Sequence, residues 1–440
     1  MHFEGTKIFH RHLVAFALAI GAASAHAAID TPQGNADAPR WLLLDLLAED
    51  PAPAFASRFG NAVDIAGDLL VIGAPHFLVD NVDAGAAHVY RRVGGAWELE
   101  TTLTATVPQH GASFGFSVSV AATPEREVIV IGEAARDFGA NADRGELWIY
   151  ERVGGDWVNV ARFSDQGSIA LGYAIDTDGT NLIAGAPSTN AFYGATFVYH
   201  RDATAGTWAF DHTAQPASSD AVAGYYGISV ALAGDLALTG AMAARVGNDA
   251  VGAAEISNLF ADGPLAAPVV LHAQEAAPGD EFGRAVAASG SRFVVGAPGA
   301  EDASEPSNSG VVHVFRRSNG QVHFEARLTS ILPQENARFG ASVAISDDLA
   351  IIGEPSRTVY FLGTEFAAAG AVALFRRDDW SVWHDEGGFY NLGVNEGFGE
   401  AVAIDGAHAI GGMPRHAAGA ARYIERDTIF FGSFQDMAPE

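Results

Sequence analysis

A glycine-based motif recurs along the whole chain and constrains the fold more than any other feature. In its first copy, residues 59–75, Phe-Gly is followed by two apolar runs that flank a tight Ala-Gly-Asp turn, and the second run ends on Gly-Ala-Pro. Seven copies follow one another at intervals of 55 to 59 residues, and they begin at Phe59, Phe114, Leu171, Tyr226, Phe282, Phe339 and Phe398. Such a period indicates a repeat architecture in which each copy is one structural unit.

Each copy contains four short segments with the character of β-strands, which we name a, b, c and d in chain order. In the first copy they are residues 61–66, 69–73, 86–92 and 97–104. Segment d alternates apolar and polar side chains, as a half-exposed strand does, whereas the inner segments are nearly all apolar. Four short strands cannot bury both faces of their sheet alone, so such sheets stack around an axis. The sequence therefore predicts an all-β fold, a seven-bladed β-propeller of four-stranded antiparallel blades.

The seventh copy has no segment d, and a candidate for the missing strand lies at the other end of the chain. Trp41 lies 18 residues before Phe59, and Trp97 lies 17 residues before Phe114. Residues 41–47 therefore fit the position of a segment d. We predict that this N-terminal outer strand joins the last blade and closes the ring, which removes an exposed sheet edge.

The first residues have the pattern of a secretory signal peptide. Lys7 and Arg11 precede an apolar run, and the run ends near small residues that suit cleavage after Ala27. We expect a signal peptide at 1–27, a flexible leader at 28–40, the propeller at 41–434 and a tail at 435–440. The mature protein is then secreted, periplasmic or attached to the cell surface. We expect no membrane insertion, because no later stretch approaches ~18 continuous apolar residues.

Composition narrows the choice of partners. The formal net charge of -28 disfavours nucleic acid or an anionic membrane as a partner. The absence of Cys excludes disulfides and thiolate metal sites.

His88 and His313 occupy equivalent places in segment c, and a Trp recurs near segment d, including Trp380. We interpret these repeated residues as structural.

The Phe-Gly and Gly-Ala-Pro repeats resemble the FG-GAP repeats of the seven-bladed propeller in integrin α subunits, and they are similar to those of secreted bacterial proteins. The resemblance covers residues 41–434. Many repeats of that family hold Ca²⁺ in an Asp-x-Asp-x-Asp-Gly loop between strands a and b. Here a tight turn replaces the loop, and only Asp176-Thr177-Asp178-Gly179 resembles it. We therefore expect no cofactor, and we interpret Asp176 and Asp178 as turn formers, with Ca²⁺ binding as a weak alternative.

Because the strands run alternately up and down, the b–c loops and the d–a connections share one face, which we call the loop face. These segments carry most of the length variation, so we expect ligand contacts there. The candidates are Phe77, Asp80, Asp83, Phe138, Asp143, Tyr193, Glu301, Asp302 and Phe361. Asp80, Asn81 and Asp83 could hold a cation or form a solvated turn. The aromatic residues suit sugar or peptide contact, or they pack the loops against the ring.

Two functions follow as hypotheses. The first is a secreted, monomeric, non-enzymatic binding module that serves in adhesion or in recognition of an extracellular protein or glycan. The second is a secreted hydrolase or lyase in which acids converge at the mouth of the central channel. The candidate acids are Asp137, Asp143, Glu301 and Asp302.

Overall fold

The computed structural model describes residues 27–29, 41–48, 56–165, 167–216, 224–260, 263–301, 306–417 and 419–426. The expected signal peptide before Ala27, residues 30–40 of the expected leader, Asp302 and the C-terminal tail lie outside these ranges. Seven four-stranded antiparallel sheets account for most of the described residues. The all-β fold and the seven blades are as predicted.

The strands follow one another blade by blade. Two strands precede the first repeat: β1 (Ala27–Ile29) and β2 (Trp41–Ala48). Blade one has β3 (Ala62–Ala66), β4 (Leu69–Ala74), β5 (Leu78–Val79), β6 (Val82–Asp83), β7 (Ala86–Val93) and β8 (Ala96–Leu103). Blade two has β9 (Phe114–Ala122), β10 (Glu127–Glu133), β11 (Glu146–Val153) and β12 (Asp156–Phe163). Blade three has β13 (Ala174–Thr177), β14 (Asn181–Gly185), α1 (Thr189–Phe192), β15 (Thr196–Arg201) and β16 (Trp208–Ala214).

The remaining blades repeat this order. Blade four has β17 (Ser229–Ala233), β18 (Leu236–Ala241), β19 (Arg245–Val246), β20 (Asp249–Ala250), β21 (Ala253–Asn258) and β22 (Val269–Leu271). Blade five has β23 (Ala285–Ser289), β24 (Arg292–Ala297), β25 (Val311–Ser318) and β26 (Gln321–Leu328). Blade six has β27 (Ser342–Ser346), β28 (Leu349–Glu354), β29 (Val359–Phe361), β30 (Thr364–Phe366), β31 (Ala371–Arg377) and β32 (Trp383–Tyr390). Blade seven has β33 (Val402–Asp405), β34 (His408–Met413) and β35 (Ala420–Arg426).

The ring is closed by strands from the two ends of the repeat region. Each innermost strand contacts that of the next blade, and β33 of blade seven contacts β3 of blade one. The N-terminal strand β2 pairs antiparallel with β35 from Trp41 opposite Arg426 to Ala48 opposite Ala420. This is the position that the Trp41 spacing predicted. The strand β1 contains Ala27, the last residue of the expected signal peptide, and the first two residues of the leader that we expected to be flexible. It pairs with β32 as a fifth strand of blade six.

The Phe-Gly dipeptide joins each blade to the one before it. Phe114 is fully buried, and its backbone N–H donates a 2.8 Å hydrogen bond to the carbonyl of Ala84 in blade one. A Cβ on Gly73 of blade one would lie 2.0 Å from the carbonyl oxygen of Gly115, so only glycine allows this approach. Equivalent glycine contacts occur at the other six interfaces. The motif therefore sets the spacing between blades, and the core lies between their stacked faces.

A β-bulge in the outer strand directs a carboxylate at the neighbouring blade. In blade one, Glu100 is the extra residue of the bulge, and it accepts a 3.0 Å hydrogen bond from the indole of Trp157 in blade two. Bulges direct a side chain out of the regular alternation in this way. Glu325 accepts the same bond from Trp383 at 2.9 Å. Trp157 and Trp383 of strand d are thus hydrogen-bonded links between blades as well as packing residues.

One Trp departs from this interpretation. Trp380 lies in the c–d turn of blade six and is 87% exposed, and Trp383 occupies the strand-d position instead. The interpretation of Trp380 as a structural residue of the outer strand was therefore wrong. The two His residues do have structural positions. The ring of His88 lies 5.2 Å from that of Phe59, and His313 lies 5.3 Å from Phe282.

Candidate functional site

Several b–c loops on the loop face fold into small hairpins. In blade one, Asp80 and Asn81 join β5 to β6 with φ of 52° and 66°, the two positive angles of a type I′ turn. Asp83 lies 3.2 Å from Nδ1 of His76. These three oxygen-bearing residues therefore form a structured turn. Among the described residues, no group of three or more His, Cys, Asp or Glu side chains is arranged to hold a metal ion.

The b–c loop of blade two is held by its own polar groups. Phe138 and Asn141 pair as a β-bridge, and the carboxylate of Asp137 accepts a 2.8 Å hydrogen bond from the N–H of Asp143. Gln109 of the preceding connection bonds to the backbone of Asp137 at 2.7 Å. The loop presents Asp143 to solvent with φ of 52°, a left-handed angle that Asp adopts more readily than most residues.

A cleft of about 500 Å³ lies between blades two and three on the loop face. Phe116, Tyr173 and Phe192 supply its aromatic side chains, and the centroids of the Phe116 and Tyr173 rings lie 4.9 Å apart. Asp143 and the side chains of Ser113 and Ser188 supply polar groups. A largely apolar cleft with a few polar groups is the usual form of a ligand site.

The backbone at the edge of this cleft is unusual. Asn190, Ala191 and Phe192 follow one another with φ of 52°, 56° and 71°. Consecutive left-handed residues that are not glycine are costly, and such conformations cluster at binding sites. The geometry turns Phe192 outward, where its ring lies 5.4 Å from that of Tyr225. Tyr193 is also exposed beside the cleft but does not line it.

The sequence missed Phe116 and Tyr173 because they directly follow the Phe-Gly and Leu-Gly positions, which looked like scaffold. A signal was present in the repeats themselves. The residue after the constant Gly differs in every copy: Asn61, Phe116, Tyr173, Ile228, Arg284, Ala341 and Glu400. Variation next to an invariant position indicates side chains that the scaffold does not require.

The other candidates lie apart from the cleft. Phe77 packs edge-on against His88, with ring centroids 5.4 Å apart, as a loop-packing residue would. Glu301 accepts a 3.0 Å hydrogen bond from the N–H of Asn308 in the loop of blade five. Phe361 belongs to the hairpin of blade six. The structure therefore brings Asp137 and Asp143 into one loop but leaves Glu301 in another blade.

Asp176 is not a turn former, contrary to the first interpretation. It lies in the innermost strand of blade three and accepts a 2.7 Å hydrogen bond from the N–H of Leu232 in blade four. Asp64 makes the same link from blade one to Val120. Desolvation raises the pKa of Asp64 to about 7 and that of Asp176 to about 6. Asp178 is a turn former, because its carboxylate accepts the N–H groups of the residues that follow.

Two copies of the motif have Glu where Gly-Ala-Pro has Ala, and the structure explains both. Glu133 of blade two is fully buried, and its carboxylate bonds to Arg136 at 2.9 Å and to the indole of Trp148 at 2.8 Å. Burial raises the pKa of Glu133 to about 7. In blade six, Glu354 pairs with Arg357 at 2.6 Å in the same way. A Glu-x-x-Arg pattern thus anchors the base of two b–c loops.

Comparison with known proteins identifies the same repeats. Residues 45–90 and 269–315 match the model of the FG-GAP repeat family. The chain carries FG-GAP repeats. Among curated protein sequences, none matches this chain. One similar solved structure is that of Sqt1 from Saccharomyces cerevisiae, with 11% identity over 84% of this chain and 96% of that one. Its TM-score of 0.46 is too low for an argument from that likeness.

The described residues contain no helix long and apolar enough to span a bilayer.

Proposed function

We propose that the protein is a secreted, non-enzymatic binding module that recognises an extracellular protein or glycan through the loop face, in adhesion or surface recognition. The observation that carries the proposal is the cleft between blades two and three. A seven-bladed ring with FG-GAP repeats suits a binding role, since its blades hold variable loops on a rigid frame.

The chemistry of the cleft supports recognition of a partly apolar ligand. Tyr173 and Phe192 line the cleft with aromatic rings, which suit contact with a sugar or an apolar side chain. Asp143 and the serine hydroxyls supply hydrogen bonds that would orient the ligand. Because four separate segments build the walls, the cleft depends on the folded ring rather than on one loop.

Glycan and peptide arrays, followed by calorimetric titration of each hit, test the proposal. We expect saturable binding without turnover, and at least a tenfold loss of affinity in Tyr173→Ala and Phe192→Ala. Trp380→Ala is the matched control, because it removes an exposed aromatic ring on the opposite face. Binding that survives both cleft variants, or no binding to any sugar or peptide, would count against the cleft as the site.

A further inference from the structure

The b–c loop of blade six ends in a hairpin with an unfavourable residue at its turn. Leu362 and Gly363 join β29 to β30, with φ of 50° and 80°. Positive φ at both central positions defines a type I′ turn, which favours Asn, Asp and Gly. A branched residue is strained there, because its Cβ crowds the backbone.

The related hairpins of the same chain show the ordinary solution. Blade one turns at Asp80 and Asn81, and blade four turns at Gly247 and Asn248. In blade six, by contrast, Leu362 is 90% exposed and Tyr360 is 68% exposed. A large apolar side chain held at a strained, solvent-facing tip indicates a contact surface.

The loop face also carries a cavity that complements this tip. The cleft between blades two and three offers aromatic walls for Leu362. Its rim holds Asp143, whose carboxylate accepts no hydrogen bond from any other residue that the structure describes. The hydroxyl of Tyr360 is a donor that suits this acceptor.

The tip and the cleft lie on one face and on opposite sides of the ring. In a ring of seven, the boundary between blades two and three lies three and a half blades from the middle of blade six in either direction. When two rings meet face to face about a two-fold axis that bisects the angle between these two features, the hairpin of each copy faces the cleft of the other. Such a contact is isologous, since both copies use the same two features.

We propose that two copies of this chain associate through their loop faces, with Tyr360 and Leu362 of each copy in the aromatic cleft of the other. This proposal departs from the monomer that the sequence analysis expected. Where the proposed function holds, a ligand of the cleft competes with the second copy. Both copies are strongly acidic, so the association strengthens as salt screens their repulsion.

Sedimentation velocity over a concentration series, at low and high salt, tests the association. We expect a monomer–dimer equilibrium that shifts toward the dimer with salt. Leu362→Asn should weaken the dimer at least tenfold and keep or raise the Tm, because Asn suits the left-handed turn. Val93→Asn is the matched control, since it changes an exposed apolar residue of blade one on the opposite face and should leave the dimer intact.

The absence of Cys allows a second, geometric test. Under mild oxidation, Leu362→Cys should cross-link with Ala135→Cys, which lines the cleft. It should not cross-link with Val93→Cys at the end of β7 in blade one, on the opposite face.

A protein that stays monomeric at every salt concentration overturns the proposal. So does a Leu362→Asn variant that associates as the wild type does, or equal cross-linking at Val93. These results would leave ligand recognition untouched, because that function is tested separately with Tyr173→Ala on the arrays.

Discussion

Nε1 of Trp41 donates a 3.0 Å hydrogen bond to Oε2 of Glu386, a residue that follows it by 345 positions in the chain. Trp41 belongs to the outer strand of blade seven, and Glu386 is the bulge residue in the outer strand of blade six. Arg376 and Arg426 contact the same carboxylate. The N-terminal strand is therefore hydrogen-bonded to the neighbouring blade six and also pairs with β35 of its own blade.

Removal of residues 41–48 should destabilise the whole ring, because it opens the edge of blade seven. We expect the Tm to fall by at least about 5 °C in differential scanning calorimetry. Trp41→Phe, which keeps the strand and loses the donor, should cost only about 1 kcal/mol. An unchanged Tm in the truncated protein would refute closure by this strand.

Gly73→Ala should loosen the contact between blades one and two. The new methyl group would meet the carbonyl oxygen of Gly115 at 2.0 Å, so the blades must separate, at a cost of about 1–3 kcal/mol or more. Thermal unfolding measures the loss. Gly67→Asn is the control, because nothing lies within 4 Å of a Cβ at that position and Asn tolerates its φ of 58°. Equal Tm values for the two variants would contradict the close-approach argument.

The inner carboxylates should make the ring less stable as the pH rises. The pKa of Asp64 is raised to about 7 and that of Asp176 to about 6, both above the ordinary value of 3.8, which applies when the chain unfolds. The folded state therefore binds protons more tightly. The stability that this contributes is fully present below about pH 4 and is lost as the pH rises through 6 to 7.

Asp64→Asn should reduce this pH dependence. We expect the drop in Tm between pH 5 and pH 8 to be smaller in the variant by about 1–3 °C. Asp178→Asn is the control, since that side chain lies in an exposed turn. A variant with the same pH profile as the wild type would show that Asp64 does not carry the effect.

The ring should open first at the interface between blades four and five. At each of the other six interfaces, a side-chain oxygen from the inner strand of one blade, or from the turn after it, accepts a hydrogen bond from a backbone N–H of the next blade. Ala231 and Ala233 occupy the corresponding positions between blades four and five, and β22 has only three residues. Hydrogen exchange by mass spectrometry should show the fastest exchange of strand amides in blade four. Faster exchange in blade one or two would contradict this order.

The repeats made the fold predictable because their information is local and recurs seven times. The seven copies that begin at Phe59 gave the number of blades, and the spacing of Trp41 gave the strand that closes the ring. The cleft was not predictable, because Phe116 and Phe192 come from different blades and meet only in the ring. Trp380 is exposed in a turn, whereas Trp383, three residues later, lies in the outer strand and bonds to Glu325. The sequence could not separate them, because the pattern does not fix the residue at which the turn ends and the strand begins.

The sequence by itself determined the number of blades, the order of their strands and the origin of the closing strand, since periodic spacing and apolar alternation fix these along the chain. Only the tertiary structure decided which loop residues share a surface. Asp143, Tyr173 and Phe192 form one cleft, and Leu362 lies across the ring from it, because the positions of loops around an axis follow from how the blades stack.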